Sequence, residues 1–158
     1  MTDLYRILVV CTGNVCRSPM GEGFLAHLVE AEGLDHVFVE SAGTHAPEGS
    51  PASSFAVDVA AHRGVDIQNH RASFLDRSAV ESADLILVME RGHMAYILSQ
   101  WPAEAGDKVK LIRAFHPDQP DNMDVPDPIG ADLAFYEATA ELIMACCKGV
   151  IGQLKKDP

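Results

Sequence analysis

The sequence predicts an α/β protein in which helices cover a parallel β-sheet. Three observations carry that expectation. Short apolar runs alternate with segments of helical periodicity along the whole chain. The runs are apolar almost without interruption, as strands buried on both faces require. Turn-forming residues separate the segments, with no internal repeat and no domain-sized shift in composition.

Tyr5–Val10 (YRILVV) is the first strand. Ser18-Pro19 opens a helix, with serine as a cap and proline where the first turn tolerates it. Met20, Phe24, Leu25, Leu28 and Val29 share one face of it, and Gly33 ends it. Val37–Glu40 is the second strand. Residues 46–54 form a loop rich in Pro, Gly and Ser, and Ser54–Arg63 is a helix stopped at Gly64. Asp84–Met89 (DLILVM) is the third strand, Arg91–Trp101 a helix stopped by Pro102, and Val109–Phe115 the fourth strand. Residues 116–130 hold four prolines and four aspartates and are read as a loop. Asp132–Leu154 is a long helix whose apolar stripe is read as Phe135, Ala138, Leu142, Ala145 and Cys146. Lys155 and Lys156 complement the dipole at its end.

A length of 158 residues suits one domain spanning 1–158. Lys and Arg number 12 against 23 Asp and Glu, a net charge of −11. So acidic a chain is a poor general binder of nucleic acid or of anionic membranes, and any anion it takes must be held by a local site. Cysteines stand at 11, 16, 146 and 147, too few for a disulfide scaffold and without zinc spacing. His27, His36, His45, His62, His93 and His116 show no ligand spacing, so neither metal nor cofactor is expected. No secretory signal is visible, and no apolar run reaches the ~18 residues that span a bilayer. The expected compartment is the reducing cytoplasm.

In parallel α/β sheets ligands bind beyond the carboxyl ends of the strands. The loop there reads C-T-G-N-V-C-R-S-P from Cys11 to Pro19. Gly13 permits a backbone in which successive N–H groups turn inward as an anion nest. The following helix adds unpaired N–H donors and positive dipole, and Arg17 adds a fork for two phosphate oxygens. A cysteine at the base of such a cradle has its thiolate favoured. The constellation fits phosphoryl transfer through a phosphocysteine: sulfur attacks phosphorus, the cradle holds the equatorial oxygens, and the leaving oxygen needs a proton. Asp118, Asp121 and Asp124 are read as solvated. Asp127 differs because Pro126 and Pro128 fix the backbone around it, as a placed proton donor requires. Acids spaced by three without the required glycine do not make an EF-hand calcium loop.

The run V-C-T-G-N-V-C-R-S-P resembles the signature of the low-molecular-weight protein tyrosine phosphatases. Ser41-Ala42-Gly43, Asn69-His70-Arg71-Ala72 and Asp127-Pro128 match further landmarks in order, so the resemblance covers nearly the whole chain. It implies Cys11 as nucleophile, Arg17 as phosphate clamp and Asp127 as general acid and then base. It implies that amides of Thr12, Gly13, Asn14, Val15, Cys16, Arg17 and Ser18 line the cradle. Ser18 would also hydrogen-bond the sulfur, while Asn14, Ser41 and His70 support the loop. A reversible Cys11–Cys16 disulfide is implied too, with simple loop packing the alternative for Cys16. Cys146 and Cys147 are read as small apolar residues of a helix. The expected architecture is three layers, α/β/α, around a four-stranded parallel sheet of order 2-1-3-4 with the phosphate-binding loop after the first strand.

The implied activity is hydrolysis of phosphotyrosine and aryl phosphates in protein substrates, with phosphate or vanadate as ligand. Bacterial relatives serve tyrosine kinases, and the expected assembly is a monomer or weak homo-oligomer. Two features depart from animal members: T-H-A-P-E-G-S-P after the second strand has no aromatic residue, and Ile129 follows Asp127-Pro128. Ile129 and His45 are left to form a modest wall. A thiol-coupled arsenate reductase of this fold needs further cysteines after the third strand, and none lies between 17 and 145. A phosphocysteine carrier needs neither the arginine nor the Asp-Pro acid. A silent phosphoprotein-binding module is a further alternative, against which nucleophile, clamp and acid all stand intact.

Overall fold

The computed structural model describes residues 3–156. In chain order the elements are β1 (Tyr5–Cys11), α1 (Arg17–Ala31), β2 (Val37–Gly43), α2 (Ser54–Ala61), α3 (Arg77–Ser82) and β3 (Leu85–Val88). There follow α4 (Arg91–Gln100), α5 (Pro102–Ala105), β4 (Val109–Leu111), a 3₁₀ turn (Ile112–Phe115) and α6 (Leu133–Lys156). All strand pairs are parallel, in the order β2-β1-β3-β4.

Strand alternation divides the core in two. Ile7, Val9 and Leu87 point to one face, where Met20, Phe24 and Leu25 of α1 meet Ile143 and Val150 of α6. Leu8, Val10, Ile86 and Val88 point to the other, against Val80 of α3, Ile97 of α4 and Ala105 of α5. The result is the three-layer α/β/α arrangement. Full burial of a side chain such as Phe24, at 0% exposure, contributes roughly 1.5–3 kcal/mol. The β1–α1–β2 crossover lies on one face and β3–α4–α5–β4 on the other, so the winding reverses between β1 and β3. At such a point the strand ends open a crevice for ligands.

Four local expectations change. First, α1 starts at Arg17 with Cys16 as an N-cap that makes no side-chain cap bond, and Ser18 lies inside the first turn rather than capping it. That leaves the helix N-terminus free to serve the loop. Second, β2 runs on to Gly43 and so carries Ser41 to the site. Third, the fourth strand ends at Leu111, where its pairing with β3 runs out. Ile112 then turns into the α1/α6 core at 0% exposure, and Gly149 of α6 backs so closely onto Phe115 that a Cβ there would collide with its carbonyl oxygen. Fourth, the buried stripe of α6 is Tyr136, Thr139, Ala140, Ile143, Cys146, Cys147, Val150 and Ile151, while Phe135 is exposed. The stripe is rotated because Tyr136 is drawn inward by polar partners near the site. The short helices α3, capped by Asp76, and α5, led by Pro102, were not anticipated.

Candidate active site

Parallel register aligns Cys11 at the end of β1 with Gly43 at the end of β2. The loop from Cys11 to Arg17 curls over these strand ends. Cys11, Thr12, Gly13, Val15, Cys16, Arg17, Asp127 and Ile129 line one cavity of about 180 Å³. Of the residues expected to act, Cys11, Arg17 and Asp127 are thus brought together. Asn14 and Ser18, both at 0% exposure, sit behind the loop.

Asn14 explains the loop's shape. It is the single non-glycine residue with positive φ (54°) among the described residues, a conformation asparagine tolerates better than most. Such backbone strain costs of order 1–3 kcal/mol and persists only where the surroundings fix it. Here they do. The Asn14 side-chain amide donates to Ser18 Oγ (2.7 Å) and Ser41 Oγ (2.9 Å), and its oxygen accepts from Ser73 N–H (2.8 Å). Its backbone carbonyl accepts from His70 Nε2 (2.8 Å). Ser41 in turn donates to Glu22, whose carboxylate lies 3.9 Å from His70 Nδ1.

Because Ser18 Oγ accepts from Asn14, its own proton is free for Cys11 Sγ at 2.9 Å. The Asn14 backbone N–H approaches the same sulfur at 3.3 Å. Asn14 therefore gives its amide to the sulfur and its side chain to the support, and does not line the cavity. Two hydrogen-bond donors thus converge on one sulfur.

Gly43 lets the loop lie this low. A Cβ on it would stand 2.5 Å from the Thr12 carbonyl oxygen and 2.9 Å from the Asn14 nitrogen, both backbone. Gly43→Ala should therefore lift the loop, lowering kcat/KM on p-nitrophenyl phosphate at least about tenfold, at a stability cost of about 1–3 kcal/mol. Steady-state kinetics beside a thermal melt check this, and unchanged kcat/KM would show that the contact is not limiting.

Arg17 is 1% exposed and anchored from one side. Its Nη1 pairs with the Glu90 carboxylate and donates to the Val125 carbonyl (2.8 Å). Its Nε is buried without a protein partner, and Nη2 lies 3.5 Å from Asp127 Oδ2. One edge of the guanidinium is thereby fixed, and the Nε/Nη2 edge is left for two oxygens of an anion.

The 116–130 loop is fastened at Val125, fully buried, whose N–H donates to the Met89 carbonyl (2.8 Å). Asp124 is not simply solvated as expected: it accepts from the Arg91 backbone N–H (2.8 Å) and pairs with the Arg91 side chain (3.4 Å). Burial pushes its carboxyl up, but the Arg91 hydrogen bonds outweigh this and hold it below the usual range. Asp127 Oδ1 accepts from Ile129 N–H (3.1 Å), which leaves Oδ2 toward Arg17. His45 does not line the cavity; its ring packs against Tyr96 at 5.6 Å. The wall is Ile129 and Val15.

Cys16 Sγ meets Tyr136 Oη (3.3 Å) and Ser53 Oγ (3.4 Å). Burial pushes its thiol up, and burial with the Cys16 contact pushes Tyr136 up to about 12. Both cysteines of the loop are free thiols. Glu22, Glu90, Ser53 and Tyr136 were not anticipated. Only Glu90 left a sequence signal: Glu90-x-x-His93 before an apolar run is a reciprocal capping pattern, and the structure makes both of its bonds. Among the described residues no cluster of three or more His, Cys, Asp or Glu is placed to hold a metal ion, and no helix is long and apolar enough to cross a membrane.

The family described as low molecular weight phosphotyrosine protein phosphatase matches residues 6–158. A probable low molecular weight protein-tyrosine-phosphatase, EpsP, of Ralstonia nicotianae is 42% identical over 137 residues, 87% of each chain. A protein-arginine-phosphatase of Bacillus subtilis is 36% identical over 151 residues, 96% of this chain and 97% of that one. The crystal structure of a low molecular weight protein tyrosine phosphatase from T. tengcongensis superposes with a TM-score of 0.86 at 41% identity, covering 94% of this chain and 99% of that one.

Proposed function

The chain belongs to the low molecular weight phosphotyrosine protein phosphatase family, and from that premise we propose that it hydrolyses phosphotyrosine in protein substrates through a phosphocysteine on Cys11. The observation that carries the reading is that the half-anchored Arg17, the doubly hydrogen-bonded Cys11 sulfur and Asp127 share one cavity. The ester phosphate enters the cradle formed by the loop amides and the free edge of Arg17. Cys11 Sγ attacks phosphorus as the phenolic oxygen departs, and that oxygen takes the Asp127 proton. A water then gives its proton to the Asp127 carboxylate and attacks the phosphocysteine. Phosphate leaves and the thiolate, held by Ser18, is restored. Positioning and fixed dipoles supply most of the acceleration in such a transfer.

Tyrosine is the favoured residue because the walls above the cradle, Val15 and Ile129, are apolar and suit an aromatic ring. A second reading, phosphoarginine, has its own observation in the Bacillus relative that spans 96% of this chain. A guanidinium leaving group would find Asp127 as a counter-charge but, among the described residues, no second carboxylate lining the cavity. Arsenate reduction lacks support: Cys146 and Cys147 are fully buried on α6, and burial pushes both thiols up. The residues 1–158 are proposed to act as one domain, in the cytoplasm, on phosphoproteins that include a bacterial tyrosine kinase, as a monomer or weak homo-oligomer.

The test is phosphate release from matched phosphotyrosine and phosphoarginine peptides with EDTA present. Turnover with at least about a tenfold preference for phosphotyrosine is expected, that ratio being about 1.4 kcal/mol of transition-state discrimination. A preference for phosphoarginine would reassign the substrate, and no turnover of either would overturn the reading.

A further inference from the structure

We propose that His93 is a positioning residue for the reaction, fixing the Thr12 hydroxyl as a hydrogen-bonding contact to the leaving-group side of the substrate. This rests on the phosphatase reading above.

His93 is buried at the first turn of α4, 5% exposed. Its Nδ1 accepts the Glu90 backbone N–H at 3.1 Å, so the lone pair of Nδ1 is engaged and the ring proton resides on Nε2. Burial and then the Arg17 charge favour the neutral ring, which this arrangement requires. Nε2 lies 2.8 Å from Thr12 Oγ1 and therefore donates to it. Thr12 is exposed, lines the cavity beside Cys11 and Asp127, and its hydroxyl has no other hydrogen-bond partner among the described residues. With one lone pair taken by His93, the hydroxyl proton and the second lone pair are directed to whatever occupies the cavity. In the phosphatase reading the loop amides take the phosphate, and the Thr12 side chain is available for the part of the substrate beyond it. Glu90 ties these roles together: it holds Arg17, caps α4 and orients His93.

Three variants test this. Thr12→Val keeps the shape and removes the hydroxyl. His93→Asn keeps an acceptor for the Glu90 N–H, and so the cap of α4, but does not reach Thr12. The third is the double variant. Each single variant is expected to lower kcat/KM on a phosphotyrosine peptide by roughly 3–10-fold, the range for one hydrogen bond, and the double variant no further. Inorganic phosphate, which has no leaving group, should inhibit all of them with an unchanged constant. Thr12→Ser should restore wild-type values. Equal activity of Thr12→Val and wild type, additive losses, or a parallel loss of phosphate affinity would each overturn the proposal. Nitrogen-15 spectra of His93 give a readout independent of turnover: a proton on Nε2 that Thr12→Val perturbs is expected, and a proton on Nδ1 would overturn the assignment. A wild-type protein without turnover would instead count against the phosphatase reading, with the His93 spectra still deciding the positioning.

Discussion

Cys11→Ser is expected to abolish turnover, with kcat on p-nitrophenyl phosphate falling by roughly 10³-fold or more, while phosphate still binds. Of the two thiols that line the cavity among the described residues, Cys16 is engaged by Tyr136 and Ser53, and Cys11 is the one that Ser18 and the Asn14 N–H hold. A serine hydroxyl keeps the contacts with Ser18 and the Asn14 N–H but does not ionise near neutral pH. The cradle itself does not depend on the sulfur. It is fixed by Asn14 through Ser18, Ser41, Ser73 and His70, and by Arg17 through Glu90 and Val125. Titration calorimetry with inorganic phosphate should therefore give an affinity within a few-fold of wild type. Normal turnover would remove Cys11 from the mechanism. Loss of phosphate binding together with turnover would show that the sulfur shapes the loop as well as reacting.

The outline of this site could be read from the sequence because its parts are local. Cys11, Gly13 and Arg17 lie within one turn of chain between a buried strand and a helix, and the chemistry of that junction follows from backbone donors and one fork. The proline pair around Asp127 is local as well. What did not show is what tertiary packing assembles. Glu22 reaches Ser41 from another element, Tyr136 reaches Cys16 across the core, and Asp124 turns from a solvated acid into a clamp only because α4 begins beside it. The buried stripe of α6 departs from its apolar pattern for the same reason. An amphipathic pattern counts apolar residues, but Tyr136 and Thr139 face inward, and Phe135, which the pattern favoured, does not. Likewise Ile112–Phe115 is apolar enough to extend the fourth strand, whereas β3 offers partners only as far as Leu111.

Asp127→Ala separates proton supply from placement. On a phosphotyrosine peptide, whose phenolic oxygen needs a proton to leave, kcat should fall by roughly 10²–10³-fold. On p-nitrophenyl phosphate, whose leaving group departs as a stable anion, the first step should be nearly unaffected. The residual loss there is the loss of the base that activates water. The geometry supports this division. Oδ1 is held by the Ile129 N–H at 3.1 Å, so Oδ2 is the free oxygen, and it stands 3.5 Å from Arg17 Nη2 on the wall of the cavity. An anion that takes the free edge of Arg17 would displace that weak pairing and release Oδ2 toward the cavity. Of the other nearby acids, Glu90 is paired with Arg17 Nη1 and Asp124 is committed to the Arg91 N–H and guanidinium, and neither lines the cavity. Asp124→Asn should loosen the loop without removing a proton donor, so it should lower both substrates by the same modest factor. Single-turnover and steady-state rates on the two substrates decide between them. An equal loss on both in Asp127→Ala would place the acid elsewhere, and a leaving-group-dependent loss in Asp124→Asn would make that residue the donor.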